Sequence, residues 1–224
     1  MGNSVVASYV ATDIIFLGTG IMLVSAAVVW QKELMNEPTL ESVARFLLLK
    51  KAPLSAVIAN GVMVLVAFFL SLPTFALPTS RTWLKAHGWL VMVCALFTLV
   101  LGLMEWISTL TTRANLETIW GQQTSKIQSM LQQKFSCCGY LNSTSPLYVV
   151  DSVCTSDIVA ASKEGCVGPF ANYAERWINL LFTALFGIVA MDAVLILCAA
   201  MLIRYRKEQL RYRLIDQKWG VGNI

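Results

Sequence analysis

Four cysteines in one polar segment, Cys137, Cys138, Cys154 and Cys166, are the residues whose type and spacing imply chemistry most directly, and that chemistry is disulfide formation. The segment is 111–176, and apolar runs flank it on both sides. Chain neighbours rarely bond each other, because a vicinal disulfide forces a strained ring. Cys137 and Cys138 therefore reach out to different partners. This removes one of the three pairings that four cysteines allow and leaves two open. Gly139 follows directly and gives the backbone freedom to turn away from both anchors. Disulfides persist in oxidising compartments, so the segment is expected outside the cell or in a lumen. Asn142-Ser143-Thr144 is an N-glycosylation acceptor in the same segment and points the same way.

A second set of polar groups sits in apolar surroundings: Asp13, Asn60, Glu105 and Asp192. Acids in hydrocarbon are costly and are functional suspects for that reason. Counting ~1.5 Å of rise per residue, Asp13 and Asp192 fall in an inner polar layer, and Asn60 and Glu105 in an outer one. Two carboxylates facing each other in hydrocarbon cannot both be ionised, so Asp13 and Asp192 are expected to share a proton across the bundle. His87, the only histidine, reads as an ordinary residue of the next interface. Cys94 and Cys198 read as small buried hydrophobes rather than acylation sites. Tyr212-Arg213-Leu214-Ile215 has the Tyr-x-x-apolar form of a sorting motif. The same stretch also reads as a basic amphipathic helix on an anionic leaflet. No pattern implies a metal or a cofactor.

The elements that must hold these groups follow from composition. The chain is 57% hydrophobic and 13% charged, a balance no soluble domain of 224 residues shows. Four windows are long and apolar enough to span a membrane. The division is a cytoplasmic N-terminus 1–7, a first span 8–30 and a small outer loop 31–52. A second span 53–77, a cytoplasmic loop 78–87 and a third span 88–110 follow. The large outer loop 111–176, a fourth span 177–203 and a cytoplasmic tail 204–224 complete the chain. The first span lacks a basic leader and is too long for a cleaved signal peptide. The tail is basic, with Arg204, Arg206, Lys207, Arg211, Arg213 and Lys218, and it accounts for most of the net charge of +4. The positive-inside bias is modest, and the cysteines and the glycosylation acceptor settle the orientation. The charge gives no indication of nucleic acid.

Finer features can be read along the chain. Met1-Gly2 is not a myristoylation signal, because Val6 stands at the sixth position. Leu40, Val43, Ala44 and Leu47 fall at helical spacing in the small loop. Pro73 and Pro78 are expected to bend or end span two. A long helix is expected to leave span three and run up to Cys137, weakened at Gly121. Segment 142–165 has no sustained period, and Gly168-Pro169 starts a helix that runs through Tyr173 and Trp177 into span four. Small and polar residues recur every seven positions: Asp13, Gly20, Ala27; Asn60, Ala67, Thr74; Gly88, Ala95, Gly102. That repeat predicts close, shallow left-handed packing of the spans. The fold class is an all-α membrane protein, a four-helix bundle with a small disulfide-pinned, mainly helical outer domain.

With these features assembled, the chain resembles a tetraspanin over nearly all its length. The Cys137-Cys138-Gly139 motif in a large outer loop, the last cysteine shortly before span four, and the small-then-large loop order carry the resemblance. Asp13-Ile14-Ile15-Phe16-Leu17-Gly18-Thr19-Gly20 is similar to the family's Asn-Phe-Ile-Phe-Trp-Leu-Ala-Gly. Asp13 stands at the family's asparagine, Glu105 at the acid of its third span and Asp192 at the Glu or Gln of its fourth. Ala67-Phe68-Phe69-Leu70-Ser71 departs from the family's Gly-Phe-Leu-Gly-Cys, Ser71 replacing a usually lipidated cysteine. Four loop cysteines are the family's minimal set, and the compact loop resembles a fungal tetraspanin of the type tied to appressorium-mediated host penetration.

The resemblance implies disulfides Cys137–Cys166 and Cys138–Cys154. It also implies a non-enzymatic organiser of the plasma membrane, cycling through endosomal or vacuolar membranes, that binds partner membrane proteins and other tetraspanins and assembles microdomains. Membrane lipids or sterol are expected between the spans. The alternative is a four-span transporter or proton path using Asp13, Glu105 and Asp192, against which the chain has no inverted repeat. A thiol oxidoreductase would want Cys-x-x-Cys rather than adjacent cysteines. A claudin-like barrier protein would want cysteines in the first outer loop.

Overall fold

The computed structural model describes residues 2–76, 82–110, 112–145 and 147–218. Eight helices occupy most of them. They are α1 (Gly2–Met35), α2 (Val43–Lys51), α3 (Leu54–Ala76), α4 (Thr82–Leu110), α5 (Thr112–Gly121), α6 (Ser125–Phe135), α7 (Asp157–Ala161) and α8 (Val167–Lys218). Among the described residues the only bridges are the isolated pairs Asn142–Ser145 and Thr144–Leu147. Four helices, α1, α3, α4 and α8, are long and apolar enough to cross a membrane, and they fit a multi-pass membrane protein.

Several expectations change. The helix leaving span three is not continuous: α5 stops at Gly121, Gln123 N–H bonds back to the Trp120 carbonyl, and α6 begins afresh at Ser125. Glycine and the turn after it break the helix rather than weaken it. Pro73 lies inside α3, which continues to Ala76. The lost amide is tolerated there, as in other long apolar helices. Pro78 and Arg81 fall outside the described residues. Helix α4 begins at Thr82, before the expected start of span three at 88.

The chain divides into two compact units. The first comprises Met1–Ala26, Ser55–Leu101 and Leu185–Ile224. Its core draws Tyr9 and Phe16 from α1, Val64 and Ala67 from α3, Leu84, Val91 and Cys94 from α4, and Leu195, Ala199 and Leu202 from α8. Helices α1 and α3 pack tightly at Gly20 and Gly61. A methyl group on Gly20 would stand 2.7 Å from Val64 Cγ1, and one on Gly61 would stand 2.7 Å from Val24 Cγ2. On α1 and α3 the seven-residue repeat marks the inward seam, since Asp13, Gly20, Asn60, Ala67 and Thr74 are all buried. On α4 it does so only at Gly102. The buried line runs through His87, Cys94 and Leu101, while Gly88 and Ala95 are half-buried and the space beside Gly88 is open.

The second unit comprises Ala27–Leu54 and Gly102–Ala184. Helix α2 buries Val43, Ala44 and Leu47 against Leu116, Trp120, Leu131, Tyr140 and Phe170, while Leu40, at the same spacing, precedes the helix and is exposed. The Glu33 carboxylate takes the Arg45 guanidinium, whose carbon stands 6.0 Å from the Trp177 ring centre. At the end of α6, Ser136 (φ 54°) and Gly139 (φ 72°) adopt left-handed backbone and set the two cysteines between them. Gly165 packs so tightly on the Leu141 carbonyl that a methyl group there would stand 2.1 Å away.

Candidate functional site

Disulfides join Cys137 to Cys166 and Cys138 to Cys154, with Cα atoms 5.0 and 5.9 Å apart. This is the pairing that the resemblance implied. All four cysteines are buried. The first bridge lies in the main core of its unit, and the second in a small satellite with Ala160. Gln132, buried on α6, holds the connecting chain: its amide donates to the Val149 carbonyl (2.7 Å) and to Asp151 Oδ2 (2.9 Å). Its carbonyl accepts from the amides of Gly139 and Val149. Asp151 Oδ1 accepts from the amides of Val153 and Cys154. A glutamine in a polar run gives no sequence signal of this role, because its partners come from a stretch without periodicity. The Tyr148 hydroxyl donates to Asp157 Oδ1 at 2.7 Å, and that bond raises its pKa above the ordinary phenol value. Asn142 is exposed, and its Oδ1 accepts from both the amide and the hydroxyl of Thr144.

In the first unit a chain of buried polar groups forms around Asp13. Ser71 donates to Asp13 Oδ2 at 2.5 Å, and His87 Nε2 stands 3.4 Å from Asp13 Oδ1. The other ring nitrogen, Nδ1, is 2.9 Å from the Tyr9 hydroxyl. With Tyr9 donating to Nδ1, the ring hydrogen falls on Nε2 and faces the carboxylate. Tyr9, Ser71 and His87 have no exposure, and Asp13 is 1% exposed. Thr74 donates to the Ser71 carbonyl, and Arg206 donates to the Thr74 carbonyl at 2.8 Å.

This geometry corrects two expectations. Asp13 does not share a proton with Asp192: both Asp192 oxygens are buried without a hydrogen-bond partner, while Asp13 Oδ2 takes the Ser71 hydroxyl and Oδ1 lies 3.4 Å from His87 Nε2, close enough to attract it but not hydrogen-bonded to it. Nor is His87 an interfacial residue without a partner. With α4 starting at Thr82, His87 lies beyond its first turn on the buried line, so the signal for its role was the phase of the α4 seam.

The remaining sites are placed as follows. Asn60 donates to Thr98 Oγ1 at 2.7 Å and forms a separate polar contact between α3 and α4. Glu105 belongs to the other unit and is half-buried on α4. Cys94 and Cys198 are free thiols and buried, as expected of small hydrophobes. Among the described residues, no group of three or more His, Cys, Asp or Glu is placed to hold a metal ion.

Tyr212 and Ile215 are exposed, but α8 carries both in helical backbone through Lys218. An adaptor reads the Tyr-x-x-apolar form as an extended strand, which this helix must first unwind. Tyr212→Ala is therefore expected to leave the internalisation rate unchanged. An increase in surface level would show that the helix opens and the sorting motif operates.

Compared with family models, curated proteins and solved structures, the chain has no match to any of the three.

Proposed function

We propose that this chain is a tetraspanin-type organiser, which binds partner membrane proteins laterally and gathers them into microdomains without catalysing a reaction. The observation that carries the reading is the pairing Cys137–Cys166 and Cys138–Cys154 in a segment between the third and fourth apolar helices. In this reading the disulfide-pinned helical domain faces outward at the plasma membrane and Asn142 is glycosylated. The tail faces the cytoplasm, and the setting is fungal morphogenesis or host penetration. Exposed apolar side chains on that domain supply a surface for partners: Leu147 is 70% exposed, Val150 71% and Ile158 85%.

Crosslinking in mild detergent is expected to recover a reproducible set of membrane proteins with the full chain. Val150→Asp with Ile158→Asp should reduce that recovery by about tenfold, the effect of losing roughly 1.4 kcal/mol of contact. A chain that purifies alone, or a recovered set indifferent to both substitutions, overturns the proposal.

A further inference from the structure

Within the second unit, a cavity of about 340 Å³ opens among the end of α2, the segment before α3, the last turns of α4, α5 and the first part of α8. Its volume falls within the ~300–1,000 Å³ of ordinary small-molecule sites. Leu116, Ile119 and Leu181 supply apolar wall, and Lys51, Glu105 and Ser108 bring the charged and hydroxyl groups. Glu105 is half-buried and Lys51 exposed. Among the described residues neither charge has a protein partner, and no ion pair joins the two. A half-buried carboxylate without a donor is costly, and a ligand that supplies the donor recovers that cost.

We propose that this cavity binds an aminophospholipid headgroup, with the primary ammonium on Glu105, the phosphodiester on Lys51 and the start of an acyl chain against Leu116, Ile119 and Leu181. Opposite unpaired charges on one rim call for a ligand that carries both signs. The carboxylate needs N–H donors, which an ethanolamine ammonium has and a quaternary choline lacks. The apolar wall selects a lipid over a soluble zwitterion. Chain position places the site at a headgroup level: residues 51–53 precede the apolar run of α3, 104–108 end that of α4, and 177–181 open that of α8. The inference thus rests on the membrane-spanning reading of these helices, while it is independent of partner binding.

The test uses the full, oxidised chain in mild detergent, offered equal amounts of phosphatidylethanolamine, its N-methyl and N,N-dimethyl forms, phosphatidylcholine and a sterol. Retained lipid is read by native mass spectrometry. Retention is expected to fall with each N–H removed, reaching about tenfold between the ends of the series, the scale of a charge-assisted hydrogen bond. Glu105→Gln is expected to flatten the series, and Lys51→Met to lower retention of all its phospholipids alike. The methylation series needs no variant, so a misfolded Glu105→Gln leaves the test intact. Equal retention across the series, a preference for the sterol, or a folded Glu105→Gln that keeps the gradient overturns the proposal. Failure of the chain to float with vesicles overturns both the site and the spanning reading. Flotation without headgroup preference overturns the site alone.

Discussion

His87→Leu is expected to destabilise the first unit by about 3 kcal/mol, the cost of leaving one oxygen of the buried Asp13 carboxylate without the N–H that faces it. Asp13 Oδ1 faces only His87 Nε2, and the residue is 1% exposed, so neither water nor another side chain replaces the imidazole. Asp13→Asn behaves differently. An amide oxygen still faces the ring N–H, the amide group donates to Ser71 Oγ, and no charge is left behind. Its cost is expected within about 1 kcal/mol, that of a rearranged neutral hydrogen bond. Asp192→Leu is expected to be neutral or stabilising, because both carboxylate oxygens are buried without partners and their removal relieves a desolvation cost. Thermal unfolding of the three variants in one detergent orders them. If Asp192→Leu proves the most damaging, or Asp13→Asn matches His87→Leu, the Asp13–His87 pairing is wrong.

That ordering departs from the proton that Asp13 and Asp192 are expected to share on sequence alone, and the reason is geometric. Hydropathy located the four apolar helices, because a membrane admits few other solutions for so many uncharged residues. Helical spacing found the buried face of α2, and Gly168-Pro169 marked the start of α8. Phase was harder. A single residue along a helix is a rotation of about 100°. A seam read through Gly88 and Ala95 instead of His87 and Cys94 is therefore turned away from the buried line of α4, which at its far end takes in Leu101 and Gly102 alike. Both series repeat every seven residues, and small side chains were the only guide to which one faced inward. With the seam so placed, His87 does not face Asp13, and depth alone points to Asp192 as its partner. The break at Gly121 and the helical tail share another cause. Local propensity is a weak signal where polar residues surround a few apolar ones, and the outcome is set by packing that lies far away in sequence. The hub at Gln132 belongs to the same class, since its partners Val149 and Asp151 come from an aperiodic stretch.

Removing the two disulfides separately is expected to give unequal results, although their loop lengths predict similar ones. With separations of 29 and 16 residues, chain entropy assigns about 3.6 and about 3.1 kcal/mol to the bridges Cys137–Cys166 and Cys138–Cys154. Their surroundings differ more. Cys137–Cys166 ties the end of α6 to the start of α8 inside the core that holds Tyr140 and Phe170. Beside it, Cys166 N–H bonds to the Gly139 carbonyl and Val167 N–H to that of Tyr140. Its loss frees the entry to α8 as well as the loop. Cys138–Cys154 sits with Ala160 in the satellite, and Gln132 and Asp151 still hold the segment before Cys154 through side-chain bonds when the sulfurs are gone. In the full chain, Cys138→Ser with Cys154→Ser should expose Lys163, just past α7, to trypsin while the amides of Cys166 and Val167 stay protected from exchange. Cys137→Ser with Cys166→Ser should cost those two positions their protection by about a hundredfold or more, the exchange equivalent of roughly 3 kcal/mol. Equal loss of protection in both variants would mean that the two bridges brace a single cooperative unit and that the core around Tyr140 and Phe170 does not set them apart.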